Sequence, residues 1–525
     1  MAFDAVTSDP KRPATALAIP MPEGNAPVAP FTQILTPLAR NAPEEVAPPP
    51  PVTRLVYTSV MLAVITVMHL GWSLPQVNLS TFNNQADCDA RPVQPGTCLM
   101  FPGHTKSEWL AVVNVWVAGG ILGAFSSGPI SDRFGRKKAI LANCVTMIIA
   151  AVIQASAPSL PVFVVGRGIG GLASGTAATL YNSYINEVSP PHLRGMFGSG
   201  YAFAGSTGTF LVYISFFFAD TSSGWRYIAG FPIIIASVVL FFGQKHMVES
   251  PSWLLLNGQQ EEAKRVLASL YGEENVHVAL KWIVAKRTGF SQRSRSVNVS
   301  AYDPESQLNL PVKQEESVSS PWKALFSKRY RRQTILAVHL ALTAQFTGIN
   351  AVFFYSSIIF KTAGVADGRI GNLVVGIVFL LPTFFMTVVI PRFGNRNMFL
   401  TGHVLILIAS IGLVLSLSFG VSTLSIVFVG LHVFGFSFGF NCVAFPTGAS
   451  LFPDAIRGVG TSLMMLVNWI GILIIGICFP YISSALGELS FVPFAAFTVY
   501  VLIFMYKFLP HTTGKTNDEI QKLFA

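Results

Sequence analysis

Gly128-Pro-Ile-Ser-Asp-Arg-Phe-Gly-Arg-Lys-Lys138 lies between two apolar runs, and a worn copy, Val388-Val-Ile-Pro-Arg-Phe-Gly-Asn-Arg-Asn397, lies between two others. A second pair echoes at almost the same displacement: Glu187-Val-Ser-Pro-Pro-His-Leu-Arg-Gly195 matches Ser450-Leu-Phe-Pro-Asp-Ala-Ile-Arg-Gly458, with 450 − 187 = 263 against 391 − 132 = 259. Two unrelated motifs keeping one spacing mark an internal duplication. Each charged hairpin joins apolar runs, so what has been doubled is a membrane unit.

The composition agrees. The 525 residues are 51% hydrophobic and 11% charged, with a mean hydropathy of +0.54, more apolar surface than one soluble core can hide. Runs of about 20 apolar residues cross the hydrocarbon core as helices that satisfy their own backbone polar groups. Twelve are read: Arg54 to Asn78, Glu108 to Ile130, Ala139 to Ala157, Pro161 to Tyr184, Phe197 to Ala219 and Trp225 to His246, then Gln333 to Lys361, Ile370 to Pro391, Met398 to Ser418, Leu424 to Gly448, Thr461 to Ser483 and Phe491 to Leu509. The predicted class is an all-α membrane protein, with a disordered, proline-rich arm at 1–53, six spans in 54–246, a polar loop at 247–332, six spans in 333–509 and a tail at 510–525.

The net charge of +10 does not point to nucleic acid, because the basic residues gather in loops joining alternate spans. That side is predicted to be cytoplasmic and to hold both termini, and no cleavable signal peptide opens the chain. Cys88 and Cys98 share the first outward loop, where they can bridge or stay as free thiols, while Cys144, Cys442 and Cys478 lie in apolar runs. Neither sequon, Asn78-Leu-Ser80 nor Asn298-Val-Ser300, is read as glycosylated. No loop holds acids, histidines and cysteines at catalytic or metal spacing, so neither an enzyme nor a cofactor is expected.

In the first hairpin, orientation by positive charge accounts for the basic residues but not for Asp132, which needs an arginine or a helix N-terminus as partner. Glu187 and Arg194, across Pro190 and Pro191, carry opposite charges able to cross-link helices. An ion pair made in one conformation and broken in another biases a two-state equilibrium, which is what a gate requires.

The duplicated hairpin, Gly166-Arg-Gly168, Glu187 to Gly195, Val248-Glu-Ser-Pro-Ser-Trp-Leu254 and Thr347-Gly-Ile-Asn-Ala-Val-Phe-Phe-Tyr355 together resemble the sugar porter (facilitative hexose transporter-like) branch of the major facilitator superfamily, from roughly Arg54 onward. The resemblance implies two six-helix bundles related by a pseudo-twofold axis, substrate near the midplane, and alternating access. It implies sugar contacts at Gln345, Asn350, Phe445, Asn468 and Trp469 and an outer gate at Phe354 and Tyr355. It also implies a cytoplasmic gate of Asp132, Arg133, Arg136, Glu187, Arg194, Arg392 and Arg457. Departures accompany it: one of the paired glutamines is Ala344, the fifth-span glutamine is Ala202, and the acids expected in the second half are Pro391 and Ser450. The amides could equally serve interhelical hydrogen bonds.

Arg167 is present where related symporters pair an arginine with a first-span aspartate, but that first-span position is Ser73. With no buried carboxylate there, passive uniport of a hexose is the expectation. Proton symport of a sugar or polyol, with His69 as first suspect for coupling, and a non-transporting nutrient sensor remain the alternatives. A plasma-membrane carrier working as a monomer in lipid is expected, with Gln292-Arg-Ser-Arg-Ser-Val297 read as solvated charge.

Overall fold

The computed structural model describes residues 51–288, 321–365, 367–515 and 517–524. The arm before 51, the run 292–297, the Asn298 sequon and much of the predicted polar loop lie outside them. Among the described residues every regular element is helical. The first half holds α1 (Arg54–Ser73), α2 (Lys106–Phe134), α3 (Arg136–Ser156), α4 (Leu160–Val188), α5 (Arg194–Ser215) and α6 (Gly224–His246). Two helices follow, the amphipathic α7 (Gln260–Tyr271) and then α8 (Val276–Thr288). The second half holds α9 (Arg331–Phe346), α10 (Ile349–Thr362), α11 (Gly368–Phe393), α12 (Asn395–Ser418), α13 (Ser422–Phe436), α14 (Ala444–Ser450), α15 (Asp454–Leu486) and α16 (Val492–Phe508), then a short α17 (Asn517–Lys522).

Nine helical stretches among the described residues are long and apolar enough to cross a bilayer. The other three expected spans fall on α4, α5 and α16. In α4 and α5 glycine, serine and threonine dilute the apolar character, and α16 is short, with 17 residues. Small residues have their own use here: a Cβ on Gly171 or Gly175 of α4 would collide with the α2 backbone at Trp116 or Gly120, so these glycines let the two helices touch backbone to backbone. Outside, Phe218, Phe241 and Phe419 are 78%, 77% and 77% exposed, a surface suited to lipid.

Local chemistry sets the helix ends. In both hairpins the Phe-Gly step is the turn: Gly135 (φ 97°) separates α2 from α3, and Gly394 (φ 78°) separates α11 from α12. Thr105 and Glu108 form a capping box at the start of α2.

Two spans read as continuous are broken. Gly348, at φ 92°, interrupts the seventh between α9 and α10, a conformation that favours glycine. The tenth is interrupted by a π turn over Ser437–Asn441, where Ser437 Oγ donates to the Phe379 carbonyl at 2.7 Å.

The halves meet where α5 packs on α11, α2 on α15, and the short helix Ser80–Asn83 on α10. The end carrying Gly135 and Gly394 is called the basic end below, and the end carrying the loop 79–105 the opposite end.

Candidate functional site

The break at Gly348 puts Gln345, at the end of α9, within reach of Asn350 in the first turn of α10. Asn350 Nδ2 donates to Gln345 Oε1, and Gln345 Nε2 donates to Asn468 Oδ1 on α15 at 2.6 Å. Gln345 and Asn350 are buried and Asn468 is half-buried. Gly471 makes room for this cluster, since a Cβ there would stand 2.7 Å from Gln345 Cγ.

Trp469 is buried against Gly120, with its ring 5.7 Å from Trp116 across the interface between halves. The indole N–H groups of both tryptophans, the side-chain oxygen of Asn114 and the amide nitrogen of Asn441 have no hydrogen-bond partner among the described residues. Unpaired buried donors and acceptors cost about 1 to 3 kcal/mol each, so these four groups keep capacity for a hydrogen-bonding partner. The fold thus joins three of the five expected contacts by hydrogen bonds, with Trp469 following Asn468 on α15. Phe445, half-buried on α14, packs on Phe440 at 6.3 Å instead.

Toward the opposite end, Phe354 is fully buried. Tyr355 stacks on Phe479 at 5.5 Å and its hydroxyl donates to the Gly476 carbonyl at 2.9 Å, tying α10 to α15. Beyond lies a hub that sequence reasoning missed. Asn78, where the chain leaves α1, donates from Nδ2 to the Phe353 carbonyl (2.8 Å) and Ser356 Oγ (2.7 Å). Its own carbonyl accepts from Ser357 Oγ (2.8 Å) and Asn372 Nδ2 (3.2 Å). Ion pairs Asp87–Lys361 (2.7 Å) and Asp220–Arg369 (3.3 Å) add to it, and Lys106 Nζ donates to Ser484 Oγ at 2.8 Å.

The Asp87 carboxyl is pushed up by partial burial but held below its ordinary value by hydrogen bonds from Lys361 and Asn84. That of Asp367 is lowered by its hydrogen bond from Arg369. Cys88 and Cys98 are joined as a disulfide in the same loop. His104 lies beside them, but the bonded sulfurs leave the imidazole as the one metal ligand of that group.

At the basic end of the first half, Arg136 is the centre. Its Nη1 lies 3.0 Å from Asp132, and its Nε and Nη2 lie 2.9 and 3.0 Å from the two oxygens of Glu187. Ser250 Oγ donates to the same Glu187. Arg194 is not the partner of Glu187: its Nη2 donates to the Ser189 carbonyl at 3.3 Å, because Pro190 and Pro191 turn the chain so that Glu187 faces α3 instead. Arg133 is exposed, over the ring of Phe134 at 5.4 Å.

Glu249, another residue given no role from sequence, accepts from the backbone N–H groups of Arg136 (2.7 Å) and Lys137 (3.1 Å), capping α3. Its signal was an acid directly after the sixth apolar run. In the second half Arg392 is exposed, and Arg457 donates to the carbonyls of Ala449 and Phe452. At the opposite end the halves are joined by Asn78, Lys106, the Asp87–Lys361 pair and the Asp220–Arg369 pair.

Arg167 is fully buried. Its Nη1 donates to the Ser73 carbonyl (2.9 Å) and Gln76 Oε1 (3.2 Å), and Nη2 has no partner. His69 is buried between Ser73 Oγ at 3.3 Å and Ser174 Oγ at 3.1 Å. His339 reaches the Tyr500 hydroxyl at 2.9 Å, and His403 the Phe399 carbonyl at 2.6 Å.

The family model described as sugar (and other) transporter matches residues 72–524. The chain is 31% identical over 429 residues to the glucose transporter GlcP of Staphylococcus epidermidis, covering 80% of this chain and 89% of that one. It is 29% identical over 491 residues to the solute carrier family 2, facilitated glucose transporter member 2 of Gallus gallus, covering 90% and 85%. Its fold is similar to that of the xylose transporter XylE from E. coli in a partially occluded inward open conformation, with a TM-score of 0.70 and 21% identity over 88% of this chain and 100% of the other. With the family model matching most of its length and a glucose transporter 31% identical to it, the chain belongs to the sugar transporter family, as a multi-pass membrane carrier of the major facilitator fold.

Proposed function

We propose that the chain moves a hexose of the glucose type by facilitated diffusion, opening a shared central site to each face of the membrane in turn. The observation that carries this is the amide cluster of Gln345, Asn350 and Asn468 at the broken seventh span, beside an apolar indole face at Trp469. Amides donate and accept together, which matches hydroxyl groups, and an indole face suits the C–H surface of a pyranose. Trp116 and Asn114 extend the site from the first half, and Phe354 with Tyr355 closes it outward. The glucose carriers among its relatives favour a hexose.

Uniport rests on Arg167. Its described partners are neutral, so no carboxylate stands beside it to take up and release a proton. Proton symport of a sugar or polyol stays the second reading because His69 touches two serines on the same buried polar path. The basic end faces the cytoplasm in this proposal, by the excess of positive charge there, and the carrier acts as a monomer in the plasma membrane.

Uptake of labelled hexoses, pentoses and inositol in cells lacking their own carriers, with and without a proton ionophore, tests the reading. Saturable hexose uptake indifferent to the ionophore is the expected result. Accumulation that collapses with ionophore would replace uniport with symport, and no uptake of any sugar would leave the sensor.

A further inference from the structure

Between α12 and α16, at the basic end and on the outer surface, runs an open groove of about 590 Å³ lined by Leu400, Val404, Leu502, Ile503, Tyr506 and Lys507. Five of these are apolar or aromatic, and Lys507 stands at the rim in the last turn of α16. Arg396, in the first turn of α12, reaches the same rim: its Nη2 donates to the Tyr506 carbonyl, its Nη1 meets His511 Nε2 at 3.0 Å, and its Nε has no partner. Lys507 lies over the Phe508 ring at 5.6 Å and makes no hydrogen bond or ion pair among the described residues.

The charge around the groove is one-sided. Neither α12 nor α16, nor the segments 388–397 and 509–515, contains a single aspartate or glutamate. The duplicated first hairpin is the control, because there Arg136 is held by Asp132 and Glu187, and Glu249 caps the next helix. The second hairpin has kept cations and lost the acids. An apolar trough in the membrane surface that ends in two cations, with no acid on the helices and segments that frame it, has the shape and charge of a two-part ligand, with a hydrocarbon tail and an anionic head. Basic pockets between membrane helices at headgroup level bind such lipids, and long basic side chains at helix ends reach that level naturally.

We infer that this groove is a binding site for one anionic phospholipid, its acyl chain along Leu400, Val404 and Ile503 and its phosphate held by Arg396 and Lys507. The lipid phosphate supplies to the second hairpin the negative charge that carboxylates supply to the first. The site lies on the outside of the carrier, apart from the sugar site, and does not depend on which sugar is moved.

Native mass spectrometry of the full-length protein released from phosphatidylcholine nanodiscs containing phosphatidylglycerol tests this. Phosphatidylglycerol is expected to stay bound in preference to phosphatidylcholine, and Arg396→Gln with Lys507→Gln to weaken its retention by about fivefold per cation removed. Val404→Trp, which fills the groove and leaves both cations, is expected to release the same lipid, so a failure of the charge variant to fold does not decide the matter. Equal retention in wild type and both variants would overturn the site. Displacement by excess inorganic phosphate or glycerol 3-phosphate would overturn the lipid assignment in favour of a soluble anion, and a dimer mass in place of the lipid adduct would overturn it in favour of a second copy.

Discussion

Gln345 uses its oxygen toward Asn350 and its nitrogen toward Asn468, so a sugar hydroxyl entering between them exchanges one hydrogen bond for another at little net cost. Truncation has no such exchange. Gln345→Ala and Asn468→Ala are each expected to weaken hexose binding by about 1 to 3 kcal/mol, read as a rise in KM of about 5- to 150-fold. Unchanged uptake in Gln345→Ala with Asn350→Ala together would remove both from the site. These residues were legible because the Gly-Ile-Asn turn is a local signal. Partners far along the chain were not: Glu187 reads as the mate of Arg194, seven residues away, and only the fold brings Arg136 to it. Breaking the nearly buried Arg136–Glu187 pair leaves the arginine only the exposed carboxylate of Asp132, at a cost below the ~3 to 5 kcal/mol of a fully uncompensated buried charge. Glu187→Gln is therefore expected to lower the melting temperature in detergent clearly more than Arg133→Gln, whose guanidinium is exposed.

At the scale of elements, the apolar runs marked the helices well, because a membrane helix is specified by a long uninterrupted pattern. Breaks within spans were harder to read, since Gly348 and the π turn at Ser437–Asn441 cost only a few residues of regularity. Hardest were contacts between loops, and the latch at the opposite end is made of them. Asn78 joins α1 to α10 through side-chain and backbone groups, and the loop acids join it to Lys361 and Arg369. Asn78→Ala is expected to open this end, read as a longer distance between spin labels at Thr97 and Glu488. The ionic part has a defined pH response. Asp87, the acid paired with Lys361 across the halves, titrates below its ordinary value of 3.8, so its contribution is complete above that value and is lost as pH falls through the lowered one. The label distance is expected to stay constant from about pH 8 to about pH 5 and to lengthen only below the ordinary carboxyl value of 3.8.

For the whole molecule, the duplication visible in the sequence sets up a comparison between two copies of one device. The first copy has Asp132, Arg136 and Glu187 in contact; the second has Pro391, Asn395 and Ser450 at the corresponding places. The consequence is an asymmetry between the copies: the first holds its arginine between two carboxylates, and the second has no acid at either corresponding place, while Asn78, Lys106, Asp87 and Asp220 join the halves at the other end. A carrier's two conformations differ by a few kcal/mol, so a change of about 1 kcal/mol at one end moves the ratio about fivefold. Restoring the second device with Pro391→Asp, Asn395→Arg and Ser450→Glu adds one ion pair at helical spacing and, on the pattern of the first copy, a second acid for the new arginine. If these hairpins close the basic end, as the family pattern implies, the variant is expected to populate the state closed there. The distance between labels at Glu261 and Lys515 should then shorten while that between Thr97 and Glu488 lengthens. Opposite movement of the two distances is the decisive feature, since a local stiffening of the second half would change the first distance alone, and no movement in either would separate these motifs from gating.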